Sequence, residues 1–398
     1  MTALWRNRDF TVLWGGQVVS TLGAQVSGTA MPLLVLATTG SPADAGLVGA
    51  AGTLPFLVAN LPAGPLVDRW DRRKVLLVSE VVAGLAMGSV PVAMWLGVLT
   101  VTQLVVAAFA QGLCLVFFGL AERAALPLIV PAAQLPTAIA QNEARGRGAG
   151  LAGPPLGGLL FGLGAALPFL ADAVSYALSA IGLLFVRRRL NGGAPPEDGG
   201  APPEPLLRAA LTGLRWVWRH PFVRTAILLI AASNLVFQAL LLVLVVLAQR
   251  RHAGPGGVGL MLGIYSGGGL AGALAAARLH RHLTARTVIV GVNWVWAALL
   301  PLFAVAAGPV QIGLVGAACA FVGPLWNVVV VAEATLLVPN ELLGRVTGAA
   351  MTMSWGVMPL ASLLGGYLTS SLGPVGALWP LEAVLIAAAV AALRTRMA

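Results

Sequence analysis

Long apolar runs, punctuated by short clusters of arginine, leave this chain few ways to fold. Twelve such runs lie at residues 10–37, 44–67, 75–97, 100–121, 136–165, 167–186, 222–248, 255–277, 286–307, 309–332, 342–370 and 374–393. Each is close to or above the roughly 20 apolar residues that a helix needs to cross a bilayer. Inside hydrocarbon, backbone N–H and C=O groups must be satisfied within the chain, which makes helices of runs this long. The expectation is an all-α membrane protein with twelve transmembrane helices. Of the 398 residues, 58% are hydrophobic and 10% are charged, against about 25% charged in an ordinary soluble domain. Water is therefore not the main solvent. The first run exceeds the apolar core of a cleavable signal peptide, so it reads as a retained first helix.

Orientation follows from the basic residues. With the N-terminus inside, every arginine and the one lysine fall on the cytoplasmic side except Arg250 and Arg251, as the positive-inside rule requires. Both termini are expected in the cytoplasm. The near-exclusive use of arginine suggests a GC-rich bacterial source, hence a multi-pass protein of the bacterial inner (plasma) membrane. A formal charge of +10 would suggest nucleic acid in a soluble protein. Here the charges sit between apolar runs, so the expected surroundings are the lipid bilayer and not nucleic acid. Cys114 and Cys319 lie inside apolar runs and behave as small hydrophobes. No Ser/His/Asp set, metal-ligand group or nucleotide-binding Lys-Ser/Thr loop occurs, so neither enzyme activity nor a metal or other cofactor is expected.

Residues 191–205, NGGAPPEDGGAPPEP, form the one long polar segment, with linker composition. Residues 206–220, LLRAALTGLRWVWRH, then space apolar side chains for an amphipathic helix, expected along the inner membrane face. The chain thus divides into a six-helix half (1–190), a linker with its helix (191–221) and a second six-helix half (222–398). The halves share a repeat at an offset of 208 residues: Gly64 matches Gly272, Val130-Pro131 matches Val338-Pro339, Leu135 matches Leu343, and Gly157-Gly158 matches Gly365-Gly366. Two parallel halves related by an axis along the membrane normal would place a substrate site between them.

The segment Gly64-Pro65-Leu66-Val67-Asp68-Arg69-Trp70-Asp71-Arg72-Arg73-Lys74 resembles the signature loop of the major facilitator superfamily, Gly-x-Leu-x-Asp-Arg-x-Gly-Arg-Arg/Lys. The expectation is that Gly64 gives a tight turn and close helix approach, and that Asp68 accepts N–H groups at a helix start. The resemblance implies that Gly64, Asp68, Arg69, Arg72 and Arg73 lock the two halves in one state. Asp71 replaces the family's second glycine, as in its macrolide and siderophore (enterobactin-type) exporters within the drug:proton antiporter branch. Residues 121–131, 169–176 and 338–346 are similar to the same branch. Gly153-Pro154-Pro155, followed by Gly157-Gly158, resembles the antiporter motif of the fifth helix; a glycine-rich packing seam explains the same residues. Proline kinks a helix, and glycine lets a neighbour approach closely.

A charge at membrane depth costs about 3 kcal/mol or more, so each acid there is a candidate site. Asp9, Asp68, Asp71, Glu80, Glu122, Glu143 and Glu341 are placed near the cytoplasmic face, and Glu197, Asp198 and Glu204 in the linker. Glu333, Asp172 and Glu382, inside apolar runs or close to their ends, are the candidate proton carriers, with a purely structural hydrogen-bonding role as the competing reading of Asp172. The resemblance implies that helices one, four, seven and ten line a central cavity, where Gln25, Gln111, Asn234, Gln238, Trp326 and Asn327 become substrate-contact candidates; interhelical hydrogen bonding explains the amides equally well. The implied function is proton-driven efflux of a hydrophobic or amphipathic small molecule, by a monomer using alternating access. Import of a nutrient by the same mechanism, or a non-transporting sensor, are the alternatives.

Overall fold

The computed structural model describes residues 4–186, 190, 206–339 and 342–393. Every expected span has a helical counterpart, and no strand occurs among the described residues. The first half contains α1 (Arg8–Thr39), α2 (Pro42–Val58) with α3 (Asn60–Arg69), α4 (Arg72–Trp95), α5 (Val101–Ile129), α6 (Leu135–Leu163) and α7 (Leu167–Leu184). After the linker, which lies outside the described residues, come α8 (Leu206–Arg219), α9 (Pro221–Arg250), α10 (Pro255–Leu279), and α11 (Ala285–Leu299) with α12 (Leu302–Val305). The tenth span joins α13 (Pro309–Leu325), a π-helical stretch (Trp326–Val331) and α14 (Ala332–Leu336). The eleventh span joins α15 (Leu343–Trp355) to the first part of α16 (Met358–Leu393), and the twelfth is the rest of α16 beyond its turn at Gly373. Gly373 has φ +71°, a left-handed conformation that glycine adopts without a steric penalty.

Nine helical segments among the described residues are long and apolar enough to cross a membrane, and one of these, Arg345–Leu393, has 49 residues, length enough for two spans. The second span is broken where Pro62 lacks the N–H that would bond the Val58 carbonyl; Pro301 and Pro359 stand at the breaks in the ninth and eleventh. The glycine-rich fifth span, by contrast, is one continuous helix from Leu135 to Leu163.

The chain forms two compact units: Met1–Met31 with Ala51–Pro203, and Pro32–Ala50 with Glu204–Ala398. In the first, α4 packs between α5 and α7, and Phe10, Leu76, Ile129 and Leu183 are fully buried together. In the second, α8 lies against α15, where Val217 is buried with Val223, Ile227 and Val346. The amphipathic helix thus places apolar surface on protein, with Gly213 seated against the Arg345 backbone.

One joint occurs in both units. Gly157 on α6 sits against the Val26 carbonyl of α1, where an added methyl would come within 2.6 Å. Gly365, its partner at the repeat offset, sits against the Ala239 carbonyl of α9, again at 2.6 Å. Both contacts join the same pair of spans, fifth on first and eleventh on seventh, although Val26 and Ala239 are 213 residues apart where the glycines are 208 apart.

Candidate functional site

Helix α7 carries Asp172, Ser175, Tyr176 and Ser179 along one face, at the i, i+3, i+4, i+7 spacing that aligns side chains on a helix. Helix α1 turns Gln17, Gly23 and Ser27 toward it, and Gln17 with Ser20 toward Glu80 of α4. The helices can meet because Gly16 and Gly23 have no side chains: a methyl at Gly16 would lie 3.3 Å from Ser179, and one at Gly23 would collide with the Ser175 hydroxyl.

Two carboxyl groups are enclosed in this seam. Asp172 is fully buried. Its Oδ2 accepts hydrogen bonds from the Ser27 hydroxyl and, at 3.0 Å, from Gln111 Nε2 of α5; the Ser175 hydroxyl reaches Oδ1 at 3.4 Å. Gln111 Nε2 also approaches the Tyr176 hydroxyl at 3.2 Å. Glu80 of α4 is 2% exposed. Its Oε1 accepts from Gln17 Nε2 and from the Ser179 hydroxyl at 3.0 Å, while the Ser20 hydroxyl reaches Oε2 at 3.3 Å. The described partners of both acids are neutral amides and hydroxyls. A carboxylate in such a place is held by donors alone, and a hydroxyl can rotate to accept a hydrogen bond from the neutral acid. The arrangement thus accommodates either protonation state.

A cavity of about 290 Å³ opens beside these groups, lined by Gln17, Gln25, Glu80, Gln111 and Tyr176 with apolar neighbours. Gln25 is exposed there, and Gly153 of α6 packs directly on its Cβ. Pro154 is buried beside that contact and Pro155 is half-buried, both within continuous α6. One turn from the cavity, Arg145 of α6 grips Glu122 of α5 with two bonds, of 2.8 and 3.1 Å.

The second unit holds a different environment. Asn234 donates to the Ser354 carbonyl at 2.7 Å, and Gln238 donates to the Ser362 hydroxyl at 3.1 Å. Both line a cavity of about 200 Å³ with Tyr265. Trp326 and Asn327 begin the π-helical stretch and border a cavity of about 310 Å³ whose walls are largely valine, isoleucine and alanine. Trp326 is buried and Asn327 exposed. Local π-helical geometry recurs at functional sites in helices. Glu333 is exposed on α14. Glu382 is 8% exposed in α16, and its Oε2 has no hydrogen-bond partner among the described residues.

In the signature loop the cap at the start of α4 is Asp71, whose carboxylate accepts the backbone N–H groups of Arg73 at 2.9 Å and Lys74 at 3.2 Å. The Asp68 side chain lies outside the described residues. Gly64 sits within α3 with open space where a side chain would go, so neither a tight turn nor a close approach explains it. Arg73 Nη2 bonds the Leu183 and Leu184 carbonyls at 3.3 and 2.8 Å, satisfying the end of α7. Arg72 Nη1 reaches the Ala124 carbonyl of α5 at 3.2 Å. Arg69 is exposed.

Of the candidates read from sequence, the structure brings Asp172 and Gln111 into direct contact and sets Gln25 on the same cavity. Glu80, which the sequence sets near the cytoplasmic face, joins them: α4 begins at Arg72, so Glu80 lies about 12 Å along its axis, among the buried hydroxyls and amides. The presence of one acid in a run of valine, leucine and alanine was the signal available.

A bundle of this kind, with paired glycine joints, broken spans and buried polar groups facing cavities, defines a polytopic α-helical membrane transport fold. The Major Facilitator Superfamily model matches residues 13–362, and the chain belongs to that superfamily. It is 32% identical to the multidrug efflux pump Tap of Mycolicibacterium fortuitum, over 88% of this chain and 87% of that protein. With Tap of Mycobacterium tuberculosis the identity is 29%, over 92% and 88%. Macrolide efflux protein A of Streptococcus pyogenes is 24% identical over 46% of this chain and 45% of its own length. Among solved structures, a bacterial homologue of ferroportin superposes with TM-score 0.74 at 16% identity, covering 99% of both chains.

Proposed function

We propose that this protein is a secondary active exporter of hydrophobic or amphipathic small molecules, driven by proton entry, acting as a monomer with both termini in the cytoplasm. Asp172 and Glu80 bind the transported protons. Their protonation biases the exchange between outward- and inward-open states that alternating access requires. The observation that carries this reading is a pair of carboxyl groups buried inside apolar helices and held by neutral donors, with Glu80 lining a cavity and Asp172 one hydrogen bond behind it through Gln111. Relatives that span nearly the whole chain are named as multidrug efflux pumps, which favours export. The apolar cavities of the second unit suit a large lipophilic substrate, gripped by contact area with Asn327, Asn234 and Gln238 setting orientation. Gly64, Asp68, Arg69, Arg72 and Arg73 act as the lock between states, and Gly153 to Gly158 as the seam on which α6 moves against α1.

The test is accumulation of a lipophilic fluorescent dye in everted membrane vesicles energised by respiration. Wild-type vesicles should take up dye and lose it when nigericin collapses the pH gradient. Asp172→Asn and Glu80→Gln should each lower uptake about tenfold or more at equal protein level. Dye uptake indifferent to nigericin, or full activity in both variants, would refute proton coupling at this site.

A further inference from the structure

A cavity of about 680 Å³ lies wholly within the first unit, between the end of α3 and the shafts of α4 and α5. Its mouth carries Arg69, Trp70 and Lys74, all exposed. Its walls are Val78 and Val82 of α4 with Leu113 and Phe117 of α5, and the Trp70 ring stacks on Phe117 at 5.9 Å between centroids. The lining holds two cations, Arg69 and Lys74, against one acid, Asp71, whose carboxylate accepts the backbone N–H groups of Arg73 and Lys74, so the mouth carries a net positive charge.

The surroundings identify the occupant. Val78, Val81, Val82 and Leu85 are exposed on α4, and an exposed valine and leucine face on a spanning helix meets hydrocarbon. A groove opening on that face fills with an acyl chain. In the orientation set by the arginine clusters, its charged end lies at the cytoplasmic boundary, where the leaflet carries anionic headgroups. Lysine extends its ammonium to that boundary along an apolar stem, and an arginine guanidinium matches phosphate geometry.

We propose that this groove binds an anionic phospholipid of the inner leaflet. Its phosphate sits between Lys74 and Arg69, and one acyl chain lies along Val78, Val82 and Phe117. Ser79 and Cys114 line both this groove and the cavity that contains Glu80. The bound chain therefore seals the polar cavity from the bilayer across two small side chains. This inference stands apart from the direction of transport and from proton coupling.

Native mass spectrometry after equilibration in nanodiscs of mixed phosphatidylglycerol and phosphatidylcholine tests it. Wild-type protein should retain phosphatidylglycerol in preference to phosphatidylcholine. Lys74→Glu, an exposed change that leaves the fold intact, should cut the retained phosphatidylglycerol at least fivefold. Val82→Trp should fill the groove and expel lipid with Lys74 still present. In a Cys319→Ser background, alkylation of Cys114 by a membrane-soluble maleimide should become at least threefold faster with Lys74→Glu. Equal retention of the two lipids by wild type, undiminished phosphatidylglycerol in Lys74→Glu, or displacement of the lipid by millimolar inorganic phosphate would overturn the proposal.

Discussion

The polar seam of the first unit depends on what is missing from α1. At Gly23, the position of a side chain is already occupied by the Ser175 hydroxyl and lies 2.7 Å from Asp172 Oδ1. Gly28, five residues on, faces open space. Gly23→Ala should therefore destabilise by about 1–3 kcal/mol, the usual range for overpacking, while Gly28→Ala should be nearly silent. Thermal unfolding followed by size-exclusion fluorescence separates the two; equal melting temperatures would mean that α1 and α7 are not in fixed contact there. At this scale the sequence is an uneven guide. Asp172 was legible because an acid inside an apolar run is costly. The donors on Ser27 and Ser175 were not, since small hydroxyl residues are common in spanning helices for packing alone. Glu80 was harder to read, because the expected run starts at residue 75 and the helix at Arg72, which shifts it about 4.5 Å along the axis.

Among the elements, prolines explain most departures from twelve unbroken rods. The hydrophobic pattern locates a span well, because it reports the bilayer's thickness. It is blind to a break within the span, because Leu57, Val58, Ala59 and Leu61 suit hydrocarbon on either side of it; Asn60, a weak helix former, and Pro62 mark the interruption. The start of α4 illustrates the converse. Asp71 departs from the family pattern, and it becomes the N-cap. Asp71→Ala should cost about 1 kcal/mol, whereas Asp71→Ser should recover most of that stability. A thermal shift identical for alanine and serine would show that the aspartate acts through charge and not through capping. The amphipathic helix α8 was legible as a helix, while its docking on α15 required knowledge of Gly213 and the Arg345 backbone.

For the whole molecule, the distribution of arginine makes a topological prediction. A cysteine introduced at Gly199 should react with an impermeant maleimide only after the membrane is opened, whereas one at Ala253 should react in intact cells. The reverse pattern would invert the protein in the bilayer. The doubling of the chain was visible in a handful of matched residues, and the joints at Gly157 and Gly365 give those matches a mechanical meaning. The acids do not share in it. At the same offset, Glu80 meets Val288 and Asp172 meets Pro380; Gln17, Ser27 and Gln111 meet Thr225, Leu235 and Cys319.

That contrast has a consequence for how such a chain can change. The two copies share a glycine joint and differ in their polar residues, so under the proposed mechanism the first would be the engine room and the second the cargo hold. Alterations to the walls of the second copy would then retune what is carried while the first went on handling charge, leaving each copy to vary at its own pace.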